Sequence, residues 1–214
     1  MLRAVIARTL THVAHVFVVD DGSTDGAVAS LGSMPVRVIA FPENRGKGAA
    51  LLAGFRAALD IPEIGCVAVI DADGQHDPDE LPVLYKAFAE SQTDLVVGSR
   101  VFDRGSVPWR SWFGNRITVA LVAWLLGQRL PDTQSGFRLH SRRFIEDVLE
   151  AIPAGRYETE MAILVKAIRG TYRVRSVPIR TIYEEGNPSS HFRPLRDSWR
   201  VYWALFLAAL RRTK

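Results

Sequence analysis

Short runs of apolar and β-branched residues near 15–20, 36–41, 66–71 and 94–98 alternate, over the first hundred residues, with segments of helical pattern near 2–11, 25–31, 45–60 and 79–91. Strand, helix and strand in succession form the repeating unit of a parallel sheet with helices on its faces, so the alternation predicts a doubly wound α/β fold. In such sheets, ligands bind in the crevice outside the carboxyl ends of the strands. The residues at those ends therefore carry the functional information.

Two of the ends are acidic. His15-Val16-Phe17-Val18-Val19 runs into Asp20-Asp21-Gly22-Ser23-Thr24-Asp25-Gly26, and Cys66-Val67-Ala68-Val69-Ile70 runs into Asp71-Ala72-Asp73-Gly74-Gln75. Asp and Gly are what turns demand, and Ser23, Thr24 or Asp25 would cap a helix near 25–31. Capping leaves Asp20 beside Asp21 unexplained, because two adjacent carboxylates need an offsetting cation or hydrogen-bond donors. Asp71, Asp73 and the amide of Gln75 offer hard oxygen ligands at one strand end, a set that suits Mg2+ or Mn2+ when substrate phosphates complete the shell. Asn44-Arg45-Gly46-Lys47-Gly48, after the second strand, lacks the spacing of a phosphate-binding P-loop. It reads either as a ligand contact or as a glycine-rich helix start that lets strand and helix pack closely.

Beyond Gly98 the alternation stops. A helix with apolar positions from Trp112 to Leu126 precedes the loop Pro131-Asp132-Thr133-Gln134-Ser135-Gly136-Phe137-Arg138. Short helices near 141–150 and 157–169 follow, then a strand near 172–179. A final helix near 195–212 sets Trp199, Tyr202, Trp203, Phe206 and Leu210 at helical spacing between Arg196, Arg200, Arg211 and Arg212. Aromatics and arginines around an apolar face fit a helix lying in a membrane interface, or a terminal helix packed on the core.

The 214 residues suit a single domain spanning 1–214, with the helix near 195–212 as its last element. The formal net charge of +4 is modest. Its distribution says more, since acidic turns occupy the first half and arginines crowd the second, where they suit phosphates or an anionic membrane surface. The longest apolar run, Val201 to Leu210, has ten residues, against the roughly 20 of a spanning helix. The single cysteine, Cys66, and a start without a secretory leader lead to the expectation of a reducing, cytoplasmic setting. Nucleic acid is a poor partner, because the paired acidic turns would repel a phosphate backbone and no recognition motif is present.

Taken in order, Asp20-Asp21-Gly22-Ser23-Thr24-Asp25, Asp71-Ala72-Asp73-Gly74-Gln75-His76, Gly98-Ser99-Arg100 and Ser135-Gly136-Phe137-Arg138 give the chain a resemblance to the family 2 inverting glycosyltransferases. Within that family it looks most like the dolichyl- or polyprenyl-phosphate sugar synthases. The resemblance implies a GT-A fold, a nucleotide-sugar donor, Mg2+ or Mn2+, a polyprenyl-phosphate acceptor and peripheral attachment to the inner face of the membrane. Carried over by position, Asp21, with Asp20, matches the nucleoside-contacting acidic site. Asp71 and Asp73 match the metal-and-diphosphate motif, and Gln75 a further metal ligand. Arg100 and Arg116 look like the pair that meets the acceptor phosphate. Ser135 and Arg138 match the loop lining the acceptor side. Glu158 and Glu160 resemble acidic helix positions of the family without an assigned role.

The expected chemistry follows from charge. Departure of a nucleoside diphosphate puts negative charge on its oxygens, which a cation held at Asp71 and Asp73 neutralises. A lipid phosphate is already ionised near neutral pH and needs no general base, whereas a sugar hydroxyl would need one, with Asp132, Glu158 and Glu160 as candidates. An acceptor hydroxyl and an inactive nucleotide- or membrane-binding relative stand as alternatives. One departure accompanies the resemblance. Relatives usually begin with an interior strand bearing a Pro-x-Tyr-Asn-Glu-like segment, whereas Met1-Leu2-Arg3-Ala4-Val5-Ile6 reads as the middle of the helix that follows it. The expectation is a native polypeptide longer by a few tens of residues.

Overall fold

Residues 1–100, 109–180 and 182 are described in a computed structural model, without the side chains of 109–115 and Tyr157. The helix expected near 195–212 lies outside the described residues. The elements are α1 (Leu2–Thr9), β1 (Phe17–Asp20), β2 (Arg37–Ala40), α2 (Lys47–Leu59), β3 (Cys66–Val69), α3 (Leu81–Ser91), β4 (Leu95–Arg100), α4 (Trp109–Leu126), β5 (Arg138–Ser141), α5 (Arg142–Ala151), α6 (Tyr157–Arg169) and β6 (Val174–Ile179).

The strands form two ladders. β1 pairs in parallel with β2, and a second sheet runs in the order β3-β5-β4-β6. In that sheet β4 and β6 are parallel, while β5 is antiparallel to both β3 and β4. The sequence pattern hides β5, because Arg138-Leu139-His140-Ser141 places an arginine and a histidine at positions that are buried. Pro178, which has no N–H to give a ladder, sits in β6 at the edge of the sheet, where it is tolerated.

The helix expected near 25–31 is reduced to a 3₁₀ turn at Ala29–Leu31. Its local chemistry explains the difference. The Asp25 carboxylate accepts from the Ala27 N–H, closing an Asx turn, and Gly26 has φ +70°, so the chain folds on itself before a helix can start.

Side chains alternate across β4. Leu95 and Val97 point to the face covered by Leu52 and Phe55 of α2, Phe144 and Val148 of α5, and Leu164 of α6. Val96 points to the other face, where it meets Leu81 and Leu84 of α3 with Phe137 and Ile179. Both faces of this sheet are therefore core, and each such side chain contributes roughly 1.5–3 kcal/mol through burial. Asp94, just before β4, ties the amino end of the sheet together by accepting from the backbone N–H of Arg173, the Ser141 hydroxyl and the Arg143 guanidinium.

The two ladders meet through helices. α2 packs against both β1 and β3, yet among the described residues β1 pairs only with β2, and β3 only with β5. The side chains of Phe17–Asp20 and Cys66–Val69 are all half-buried, in contrast to the fully buried Leu95, Val96 and Val97. Neither strand is covered as a central strand of a parallel sheet would be.

Candidate active site

The loop from Asn44 to Gly48 is built first, because it aims the side chain that organises the site. Asp21, at the end of β1, spends its carboxylate on this loop, accepting from the backbone N–H groups of Arg45 (2.6 Å) and Gly46 (2.9 Å) and from Asn44 Nδ2 (2.9 Å). Asp20 accepts from the Ser23 N–H at 2.9 Å. These donors offset the repulsion between the adjacent carboxylates. Gly46 has φ +97°, and a β-carbon there would lie 2.6 Å from Arg156 Cγ. A β-carbon at Gly48 would overlap the Thr159 side chain. Both glycines let the start of α2 press against the start of α6.

Lys47, the first residue of α2, is thereby directed at two carboxylates. Its Nζ lies 2.8 Å from Asp71 Oδ1 and 3.0 Å from Asp71 Oδ2, and 3.1 Å from Glu160 Oε2 on α6. Burial opposes the charge on Lys47, but Glu160 and Asp71 outweigh it, so its pKa is raised above the ordinary lysine value. Burial likewise opposes ionisation of Asp71, and the Lys47 charge and hydrogen bond, with His76 and Arg138 nearby, hold its carboxyl below the usual range. Both groups are charged at neutral pH. The signal for this triad was present in a lysine between two glycines at a helix start, but that pattern alone named no partner.

Asp71 also lies against Gly136, where a β-carbon would overlap Oδ2. This contact brings the loop carrying Ser135 onto the end of β3. Asp73 Oδ1 accepts from the Gln75 N–H at 3.0 Å, closing a tight turn in which Gly74 has φ +77°. His76 is buried beside these residues. Burial lowers its pKa most; Asp71 and Asp73 raise it, while Arg100 and Lys47 lower it, leaving the ring neutral at pH 7. One site thus gathers Lys47, Asp71, Asp73, His76, Glu160 and, on its far side, Arg100.

The remaining arginines have different settings. Arg100, at the end of β4, pairs with the buried Asp132, Nε to Oδ2 at 2.7 Å. Asp132 is thus committed to a cation and to the Gln134 N–H rather than standing free as a base. Arg138 is buried, and in place of the expected acceptor contact its guanidinium donates to the carbonyls of Ser135, Thr133 and Glu160 at 2.8–2.9 Å. A desolvated arginine spends its donors on whatever carbonyls surround it, so here it braces the loop. Ser135 Oγ accepts from the Phe137 N–H within the same loop. Arg116 is exposed on α4. Thr118, two residues on, meets Gln134 of the loop. Glu158 keeps a buried Oε2 with no hydrogen-bond partner among the described residues.

The donor set fits a divalent cation. Carboxylates at 71 and 73 are hard ligands, and the Asp71 pair with an ammonium shows that this carboxylate already balances a cation. No group of three or more His, Cys, Asp or Glu side chains among the described residues could hold a metal. A cation there would therefore draw part of its shell from substrate phosphates, as Mg2+ commonly does. No helix among the described residues is long and apolar enough to cross a membrane.

The model of the family described as Glycosyl transferase family 2 matches residues 1–151. UDP-N-acetylglucosamine--dolichyl-phosphate N-acetylglucosaminyltransferase of Methanococcus voltae is 28% identical over 86% of this chain and 82% of its own length. Polyprenol monophosphomannose synthase of Mycolicibacterium smegmatis is 33% identical over 77% of this chain and 65% of its own length. Among solved structures, glucosyl-3-phosphoglycerate synthase from Mycobacterium tuberculosis, in complex with Mn2+, UDP and phosphoglyceric acid, superposes with a TM-score of 0.73 over 100% of this chain and 75% of that one. The identity there is 21%, and the likeness is one of fold, the GT-A fold. With acidic turns at the ends of β1 and β3 and a family match over most of its length, the chain belongs to glycosyl transferase family 2.

Proposed function

We propose that the protein is a divalent-metal-dependent, inverting glycosyltransferase that moves a sugar from a nucleotide-sugar donor to polyprenyl phosphate, working as a peripheral protein on the cytoplasmic face of a membrane. The observation that carries the reading is the meeting of Asp71 with Lys47 and Gly136 at the carboxyl end of β3, with Asp73 in the adjoining turn. Relatives named as a dolichyl-phosphate N-acetylglucosaminyltransferase and a polyprenol monophosphomannose synthase support the lipid acceptor.

In this reading Asp71, Asp73 and Gln75 hold Mg2+ or Mn2+. When bound, that cation neutralises the charge that develops on the departing diphosphate. Asp21 holds the backbone of Asn44–Gly46 in the shape that receives the nucleotide, with Asp20 fixing the preceding turn. Lys47 adds a fixed positive charge beside the same diphosphate at no cost in reorganisation. On the acceptor side, Arg100 orients the incoming phosphate, with Arg116 supplying a second charge and Ser135 and Arg138 holding the loop. A phosphate oxygen ionised near neutral pH attacks without a general base, so positioning and electrostatics supply the rate.

Incubation with polyprenyl phosphate, Mn2+ and a panel of labelled nucleotide sugars tests the reading. Label extractable into organic solvent is expected from one donor, and Asp73→Ala should abolish it. Label appearing only in a water-soluble saccharide would replace the lipid acceptor by a hydroxyl. No transfer to either would leave a nucleotide-binding relative without activity.

A further inference from the structure

We propose that the Lys47 ammonium is the resident counter-cation of Asp71, so that a divalent cation enters this site together with a diphosphate rather than ahead of it. The inference rests on the metal-dependent reading above and adds an order to it. Both oxygens of Asp71 lie within hydrogen-bond reach of one ammonium, at 2.8 and 3.0 Å. A metal arriving alone must take an oxygen from that ammonium, and it brings no anion to compensate Lys47.

Lys47 does not simply swing away. It is the first residue of α2, the preceding Gly46 is held at φ +97°, and the Asp21 carboxylate fixes the N–H groups of Arg45 and Gly46. On the far side, Glu160 holds the ammonium at 3.1 Å. With its backbone held at one end and Glu160 on its ammonium at the other, Lys47 is kept beside Asp71. Two cations then compete for one carboxylate, and the competition is unfavourable to the metal by Coulomb repulsion as well as by lost hydrogen bonds.

A diphosphate reverses the balance. Its oxygens accept from the ammonium in place of Asp71 and contribute ligands to the metal, so each ligand removes the obstacle to the other. This is positive coupling, and it is reciprocal, so the metal must raise affinity for the diphosphate by the same factor. Glu160 serves as the second holding point of Lys47, a positioning role that its place on α6 did not reveal in the sequence.

Titration of the protein with Mn2+, read by the loss of the free-ion electron paramagnetic resonance signal and repeated with UDP and with GDP, tests the proposal without measuring transfer. Wild type is expected to bind Mn2+ alone weakly and about tenfold or more tightly with one of the diphosphates. Lys47→Met should bind Mn2+ alone about tenfold tighter than wild type and lose most of the enhancement. Lys47→Arg keeps a cation beside Asp71 and should bind Mn2+ alone as weakly as wild type, which keeps the test open if Lys47→Met does not fold. Lys47→Met binding Mn2+ alone no tighter than wild type, or Lys47→Arg binding it about tenfold tighter than wild type, overturns the inference. Wild type failing to bind Mn2+ under every condition overturns instead the metal-dependent function on which it rests.

Discussion

Arg100 lies along the fully buried carboxylate of Asp132, with Nε 2.7 Å from Oδ2 and Nη2 3.2 Å from Oδ1. The pair joins the end of β4 to the loop of 131–137, and breaking it strands a charge in the interior. Asp132→Ala or Arg100→Ala should cost about 3–5 kcal/mol, which thermal unfolding would register as a fall in Tm of roughly 10 °C. Asp132→Asn keeps the shape and should cost less. Were the pair purely structural, the KM values for acceptor and donor would move together in Asp132→Asn. A rise confined to the acceptor KM is expected if Asp132 aims Arg100 at a phosphate.

Gly136 tests how closely the loop of 131–137 must approach the end of β3. A β-carbon at this position would overlap Asp71 Oδ2, and the atom free to give is the carboxylate itself. Gly136→Ala should therefore displace Asp71 from Lys47 and lower donor kcat/KM by about a hundredfold. Burial elsewhere is untouched, so the Tm should fall only slightly. Activity close to that of wild type would mean that the carboxylate can rotate away without consequence.

The alternation of strands and helices was legible in the sequence because each strand from β1 to β4 is an apolar run bounded by turn residues. β5 was not, since Arg138 and His140 look like surface residues until the buried carbonyls and rings around them are known. The acidic turns at 20–21 and 71–73 could be read as a site from chemistry alone. Lys47 and Glu160 could not be paired, because they stand more than a hundred positions apart and meet only through the packing of α2 on α6. Asp132 was weighed as a base because a lone carboxylate in a loop does not announce the arginine that neutralises it.

His140 makes stability depend on pH in a way that isolates it from the carboxylates. The ring is fully enclosed, edge-on to Phe55 at 5.0 Å and stacked on Phe144 at 6.1 Å. Burial, with a smaller effect from the Arg138 charge, pushes its pKa down to about 3 from the ordinary 6.5. Between those values the unfolded chain binds a proton on this ring and the folded chain does not, so stability falls as the pH falls, and nothing is lost above 6.5. The loss is at most about 5 kcal/mol over the whole interval. Asp71 and Asp94, whose carboxyls are held below the usual range, lose their stabilisation only below about pH 4. The decline from pH 6.5 to 4.5 therefore belongs to histidine, His76 adding a smaller slope of the same sign because its pKa is also lowered. His140→Phe puts an uncharged ring among the same aromatics. Urea-unfolding midpoints of this variant should keep only the smaller fall due to His76 from pH 7 to 4.5, while those of wild type fall more steeply. Parallel curves for the two proteins would show that the imidazole is protonated without loss in the folded state.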